Sequence, residues 1–173
     1  MPTWTCFTSR VYSSSMKVLI FGPAGVGKTY VSSALKTLGI NAFDADEIEG
    51  LSSWYDRDGK KVATPKNAEE VFAKHYSFLW SRTFLKAFLA QYPDVYLFGG
   101  SGNVTAMFDL FEKVYFLKVE ANLQKERLTH SSRKNAMNEV RWGQWLETDA
   151  RNRGVPFIDA SLTPEQIFTL INK

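Results

Sequence analysis

Residues 22–29, GPAGVGKT, restrict what this chain can fold into more than any other stretch. They satisfy the pattern of a glycine, four residues, then Gly-Lys and a Ser or Thr. Their flanks suit it: residues 17–21 (KVLIF) form an apolar run of strand length, and residues 30–38 (YVSSALKTL) set Val31, Ala34, Leu35 and Leu38 on one helical face. A strand that turns through glycines into a helix gathers backbone N–H groups at the positive helix end, which makes a cradle for phosphate. The expected nucleotide contacts are Gly22, Ala24, Gly25, Val26, Gly27, Lys28, Thr29 and Tyr30. In such a loop Lys28 reaches the β and γ phosphates of ATP, and the Thr29 hydroxyl holds Mg2+.

A chain of 173 residues with 45% apolar content supports one domain with a proper core. Its net charge of +3, without a block of basic residues, makes no case for a nucleic-acid surface. The single cysteine, Cys6, can close no internal disulfide, so a reducing, cytoplasmic setting is expected. No apolar run approaches the ~18 residues of a membrane span, and no membrane partner is expected. Residues 1–15 are rich in Ser and Thr, with one Arg and no acid. They read as a disordered extension, an upstream start ahead of Met16, or a short targeting segment. The domain is expected over residues 16–173.

Along the chain, residues 41–43 read as a second strand running into the acids Asp44, Asp46 and Glu47. Residues 48–66 read as an insertion with exposed aromatics and a hairpin turn at Asp58-Gly59. Asn67 can cap a helix that the apolar residues extend to about Ala90, most of its circumference covered. Residues 95–98 (VYLF) are a strand of the kind buried in a parallel sheet, and they lead into a Gly-rich loop at 99–103. A short helical segment at 104–111, a strand at 113–119 and a helix at 121–128 follow. Residues 129–138 (THSSRKNAMN) read as a mobile loop, 139–152 as a helix, 155–158 as a strand and 163 to 171 as the last helix. Alternation of this kind specifies an α/β fold with a parallel sheet covered on both faces, and ligands at the carboxyl ends of the strands.

The chemistry falls at that edge. Mg2+ prefers carboxylate, water and phosphate oxygens, so an acid near Thr29 completes a nucleotide–metal site. Either aspartate fits that spacing; we place Asp44 with Thr29 at the metal and Asp46 at the acceptor, to orient or deprotonate its hydroxyl. The competing reading is that these acids cap a helix start. Arg127 and Arg133, with Lys134, can neutralise charge on the transferred group, or simply complement a helix C-terminus. Trp142 and Trp145 read as packing residues, and His75 and His130 as structural or surface residues. Arg151 and Arg153 fit a nucleotide contact or a solvated helix end equally. The group Trp54, Tyr55, Asp56 and Arg57 suggests a recognition surface; Arg57, Asp46, Gly99 and Gly100 are the expected acceptor contacts.

In these pieces the chain resembles the small P-loop kinases of the nucleotide and shikimate kinase group. The resemblance rests on GPAGVGKT at 22–29, FDADE at 43–47, LFGGSGN at 97–103, ERLTHSSRK at 126–134 and GVPFIDAS at 154–161. It covers nearly the whole chain from Met16, and GLSSWYDRDGKKV resembles a segment of bacterial proteins of the same superfamily. The resemblance implies a three-layer P-loop NTPase fold with a five-stranded parallel sheet, a lid over ATP and Mg2+, and transfer of the γ phosphoryl to a small acceptor. The chain departs from the group in lacking a DGFPR-like segment, in reading GKTY after the loop, in Ser101 at the third position of the glycine triplet, and in lacking an RPLL-like lid. Shikimate is therefore not assigned as the acceptor. The expected activity is an ATP-dependent small-molecule kinase acting as monomer or homodimer; the alternative is a P-loop ATPase or nucleotide-dependent switch.

Overall fold

Residues Met16–Phe21 form the first strand, β1, and its side chains divide strictly between two apolar clusters. Val18 and Ile20 enter one, Leu19 and Phe21 the other, as period-two geometry requires of a strand covered on both faces. The computed structural model describes residues 15–130 and 136–173, the side chains of 136–141 excepted. The N-terminal extension expected over 1–15 therefore lies outside the described residues but for Ser15.

The elements in chain order are β1, α1 (Lys28–Thr37), β2 (Ala42–Asp44), β3 (Ser52–Tyr55), β4 (Lys61–Val62), α2 (Ala68–Lys74), β5 (Ser77–Trp80), α3 (Arg82–Leu89), β6 (Asp94–Gly99), β7 (Lys113–Lys118), α4 (Ala121–His130), α5 (Ala136–Asn152), β8 (Phe157–Asp159) and α6 (Pro164–Ile171). Single 3-10 segments follow β2 (Ala45–Glu47) and β6 (Val104–Leu110). Five strands make a parallel sheet in the order β2-β6-β1-β7-β8. One face packs on α1 and α6 through Val31, Leu35, Ile167 and Ile171; the other packs on α3 and α5 through Leu85, Leu89, Leu146 and Ala150. This is the three-layer P-loop arrangement, with the loop running from β1 into α1. Full burial of each Leu or Phe contributes roughly 1.5–3 kcal/mol, so the sheet's two faces dominate stability.

The structure overturns one large element of the sequence reading. The helix expected from 67 to about 90 is three elements: α2 ends at Lys74, capped by His75, whose φ of 53° is left-handed, β5 follows, and Ser81 caps α3 by accepting from the Phe84 N–H. β5 pairs antiparallel with β3, which pairs with β4, giving a second sheet of three strands. The physical reason is cross-strand pairing: Phe78 lies opposite Trp54, their ring centroids 5.2 Å apart. The hairpin turn at Asp58-Gly59 forms as expected, with Asp56 Oδ1 accepting from the Asp58 and Lys60 N–H groups. Of the loop expected at 129–138, residues 129 and 130 belong to α4 and residues 136–138 to α5. Residues 131–135, with Arg133 and Lys134, lie outside the described residues. Among the described residues no helix is long and apolar enough to cross a membrane.

Candidate active site

The phosphate loop is positioned by what surrounds it rather than by its own bonds alone. Gly27 precedes α1 with φ of 100°, a conformation that L side chains avoid, and its carbonyl accepts from the Val31 N–H. Three residues on one face of α4 meet three consecutive loop residues. Gln124 Nε2 donates to the Ala24 carbonyl at 2.9 Å, Arg127 Nη1 donates to the Val26 carbonyl at 3.1 Å, and Leu128 closes over Gly25. Spacings of three and four place these side chains together on one helix. From α5, Gly143 lies so near that a Cβ there would come within 2.6 Å of Pro23 Cβ.

Inside the loop, Lys28 Nζ donates to the Gly22 and Pro23 carbonyls at 2.8 and 2.7 Å. The ammonium is thereby held beside the backbone that would cradle phosphate. Thr29 Oγ1 donates to Asp44 Oδ2 at 2.5 Å, and the Asp46 N–H donates to Asp44 Oδ1 at 3.0 Å. Asp44 is 6% exposed, a nearly buried carboxylate with both oxygens engaged. The strand ends at Asp44, and Asp46 belongs to the 3-10 turn that follows, so strand alternation does not relate the two side chains. Instead Asp44 caps the 3-10 turn and Asp46 stands on it, exposed; both line the cleft. A hydroxyl and a carboxylate are hard oxygen donors that suit Mg2+. Among the described residues no group of three His, Cys, Asp or Glu gathers, so a metal here would depend on nucleotide phosphates for further ligands.

The opposite wall is tied to the second sheet by Asn103. Its Oδ1 accepts from the Trp80 N–H at 2.9 Å and the Ser101 hydroxyl at 2.8 Å, while its Nδ2 donates to the Trp80 carbonyl at 3.0 Å. The Gly102 N–H donates to the Phe78 carbonyl at 2.8 Å. The Gly-rich loop after β6 is thus bonded to β5 at Gly102 and Asn103. The buried Ser52 hydroxyl and Trp80 indole N–H have no hydrogen-bond partner among the described residues.

Between these walls lies a cleft of about 1180 Å³ that runs from Gly22, Lys28 and Thr29 past Asp44 and Asp46 to Trp54, Phe78 and α2. Of the expected residues, it brings together Gly22, Ala24, Gly25, Gly27, Lys28, Thr29, Tyr30, Asp44, Asp46, Gly100 and Arg127. Val26 is buried beneath, contributing its carbonyl to Arg127. Two expected acceptor contacts do not line the cleft. Gly99 ends β6 against Ala45 and Trp80, where a Cβ would approach Ala45 Cβ to 2.4 Å, so it serves close packing. Arg57 sits in the exposed hairpin turn between β3 and β4. Arg151 and Arg153 are committed elsewhere, to Glu147 and to Asp149, with Arg151 also over the Phe157 ring at 4.5 Å. Trp142 and Trp145 part company: Trp142 packs on the core and lines the cleft, while Trp145 is exposed. Sequence reasoning missed Gln124 and Asn103; the spacing of Gln124 from Arg127 was the available signal for the first.

Neither a protein-family profile nor a curated protein sequence matches the chain. Among solved structures, shikimate kinase from Aquifex aeolicus aligns over 90% of this chain and 93% of its own, at 16% identity and a TM-score of 0.49. Shikimate kinase from Bacteroides thetaiotaomicron aligns over 84% and 86%, at 17% and 0.48. A gluconokinase from Sinorhizobium meliloti aligns over 89% and 87%, at 14% and 0.48.

Proposed function

We propose that the protein is an ATP-dependent phosphotransferase that moves the γ-phosphoryl group of ATP to a hydroxyl of a small metabolite. The observation that carries this is the continuity of the cleft. At about 1180 Å³ it exceeds the roughly 300–1,000 Å³ of a site for one ligand, and it extends from the phosphate loop past Asp46 to an aromatic wall. A hydrolase needs room only for water beyond the γ phosphate.

The roles follow from position. Backbone N–H groups of 22–29 and the positive end of α1 hold the phosphates, and the Lys28 ammonium exchanges its loop carbonyls for phosphate oxygens. Thr29 and Asp44 would hold Mg2+, which when bound supplies charge neutralisation between the β and γ phosphates. Asp46, beyond Asp44 on the cleft wall, orients the acceptor hydroxyl and takes its proton. Arg127, fixed by the Val26 carbonyl beside Gly27, adds positive charge where the transferred group passes. Arg133 is proposed for the same task from outside the described residues.

The test is ADP release with ATP and Mg2+ against pooled sugars, nucleosides, hydroxy acids and amino acids, with Lys28→Ala as control. At least one pool is expected to raise turnover well above the rate with ATP alone, and the control to abolish it. Turnover that no acceptor changes would leave the ATPase reading standing instead.

A further inference from the structure

The two ends of the cleft differ in chemistry. Among the described residues, the cations on its wall are Lys28 and Arg127, and both are bonded to carbonyls of the phosphate loop. The far end is walled by Trp54, Val71 and Phe78, and the carboxylates of Asp46 and Glu49 line the same cleft. Trp54 and Phe78 are half-buried, held as a tilted pair with ring centroids 5.2 Å apart, so the wall is set before any ligand arrives.

We infer that the phosphoryl acceptor is a hydroxyl compound without an anionic group, which lays a ring or other flat apolar face against Trp54 and Phe78. This rests on the phosphotransferase reading and names the class of its second substrate. An aromatic wall takes up apolar area and attracts cations through the ring face. Neutral hydroxyls can donate to the Asp46 and Glu49 carboxylates or exchange hydrogen bonds with the Asn67 and Ser77 side chains, which also line this end. A phosphate or carboxylate on the acceptor would stand beside the like charge of Asp46 and Glu49.

The decisive experiment uses matched pairs on the unmodified chain: a nucleoside and its monophosphate, and a neutral glycoside and its uronic acid. Acceptor-dependent ADP release gives kcat/KM for each, and tryptophan fluorescence gives affinity independently of turnover. We expect the uncharged member to be preferred by at least ~tenfold, about 1.4 kcal/mol, in both readouts. Trp54→Leu is expected to weaken the preferred acceptor by ~tenfold as the stacking face is lost. Transfer to the anionic member with equal or greater efficiency overturns this inference and leaves the phosphotransferase reading intact. Failure of every pair and every pool to bind or to raise turnover overturns both.

Discussion

The phosphate-loop end and the acceptor end of the cleft are built on different principles. The loop end hangs on the five-stranded sheet, whose residues Val18 to Phe21 are completely buried, and is braced by side chains from α4. The end proposed for the acceptor is a three-stranded antiparallel sheet and α2, a helix with no buried residue. It is joined to the rest through Asn103, the Gly102–Phe78 backbone bond and the buried Leu51, which packs in the core of the larger sheet. Binding triphosphate needs fixed backbone dipoles, whereas the site of acceptor choice can sit on a shallower element that the core does not dictate.

This contrast can be broken most sharply at Asp46, the junction of the two ends. Asp46→Asn keeps the side-chain volume and removes the proposed base; a fall in kcat of ~10²–10⁴ is expected, measured at saturating ATP and acceptor. A change in ATP affinity without loss of kcat would place Asp46 on the nucleotide side. Next in size is the tether. Asn103→Ala leaves the Trp80 backbone and the Ser101 hydroxyl without their partner, and a loss of ~1–3 kcal/mol in denaturant unfolding is expected. Its acceptor KM should rise more than its ATP KM, because β5 carries Phe78; equal rises would deny the two ends their independence.

The smallest effect lies away from both ends, in the ion triad of Lys118, Glu147 and Arg151. Burial pushes the Glu147 carboxyl up, but hydrogen bonds from Lys118 and Arg151 together outweigh it and leave the group below its ordinary value of 4.5. A carboxylate lowered in the folded state contributes stability that is present above its unfolded value and lost as pH falls through the folded one. Glu147→Gln should therefore cost at most ~1 kcal/mol at neutral pH, as for a partly exposed pair, and the difference should vanish on acidification below the folded value. Thermal melts of both chains across that range read it directly.

Legibility in the sequence follows the same division. The loop, the acids and the parallel strands were readable because each has a local signature: glycines at fixed spacing, a helix start, and runs such as VYLF that only a doubly covered strand tolerates. The stretch 67–90 was not, because its aromatic density satisfies a helical pattern and a strand pattern alike, and β5 is decided by pairing with a partner some 25 residues earlier. The packing role of Gly99 was hidden for a related reason. A glycine beside a phosphate site suggests ligand approach, yet this one makes room for Ala45 and Trp80, contacts that no local sequence window holds. Arg151 and Arg153 were ambiguous until their i,i+4 carboxylates were seen to hold them.

The central claim is that one cleft carries phosphoryl from ATP to a second small molecule. Phosphorus NMR of the protein with ATP, Mg2+ and the hydroxyl pools tests it most directly, since it identifies where the γ phosphorus goes. The account predicts a new phosphate-ester resonance with ADP, absent for Lys28→Ala. Inorganic phosphate as the sole product, at a rate indifferent to every pool, would contradict it.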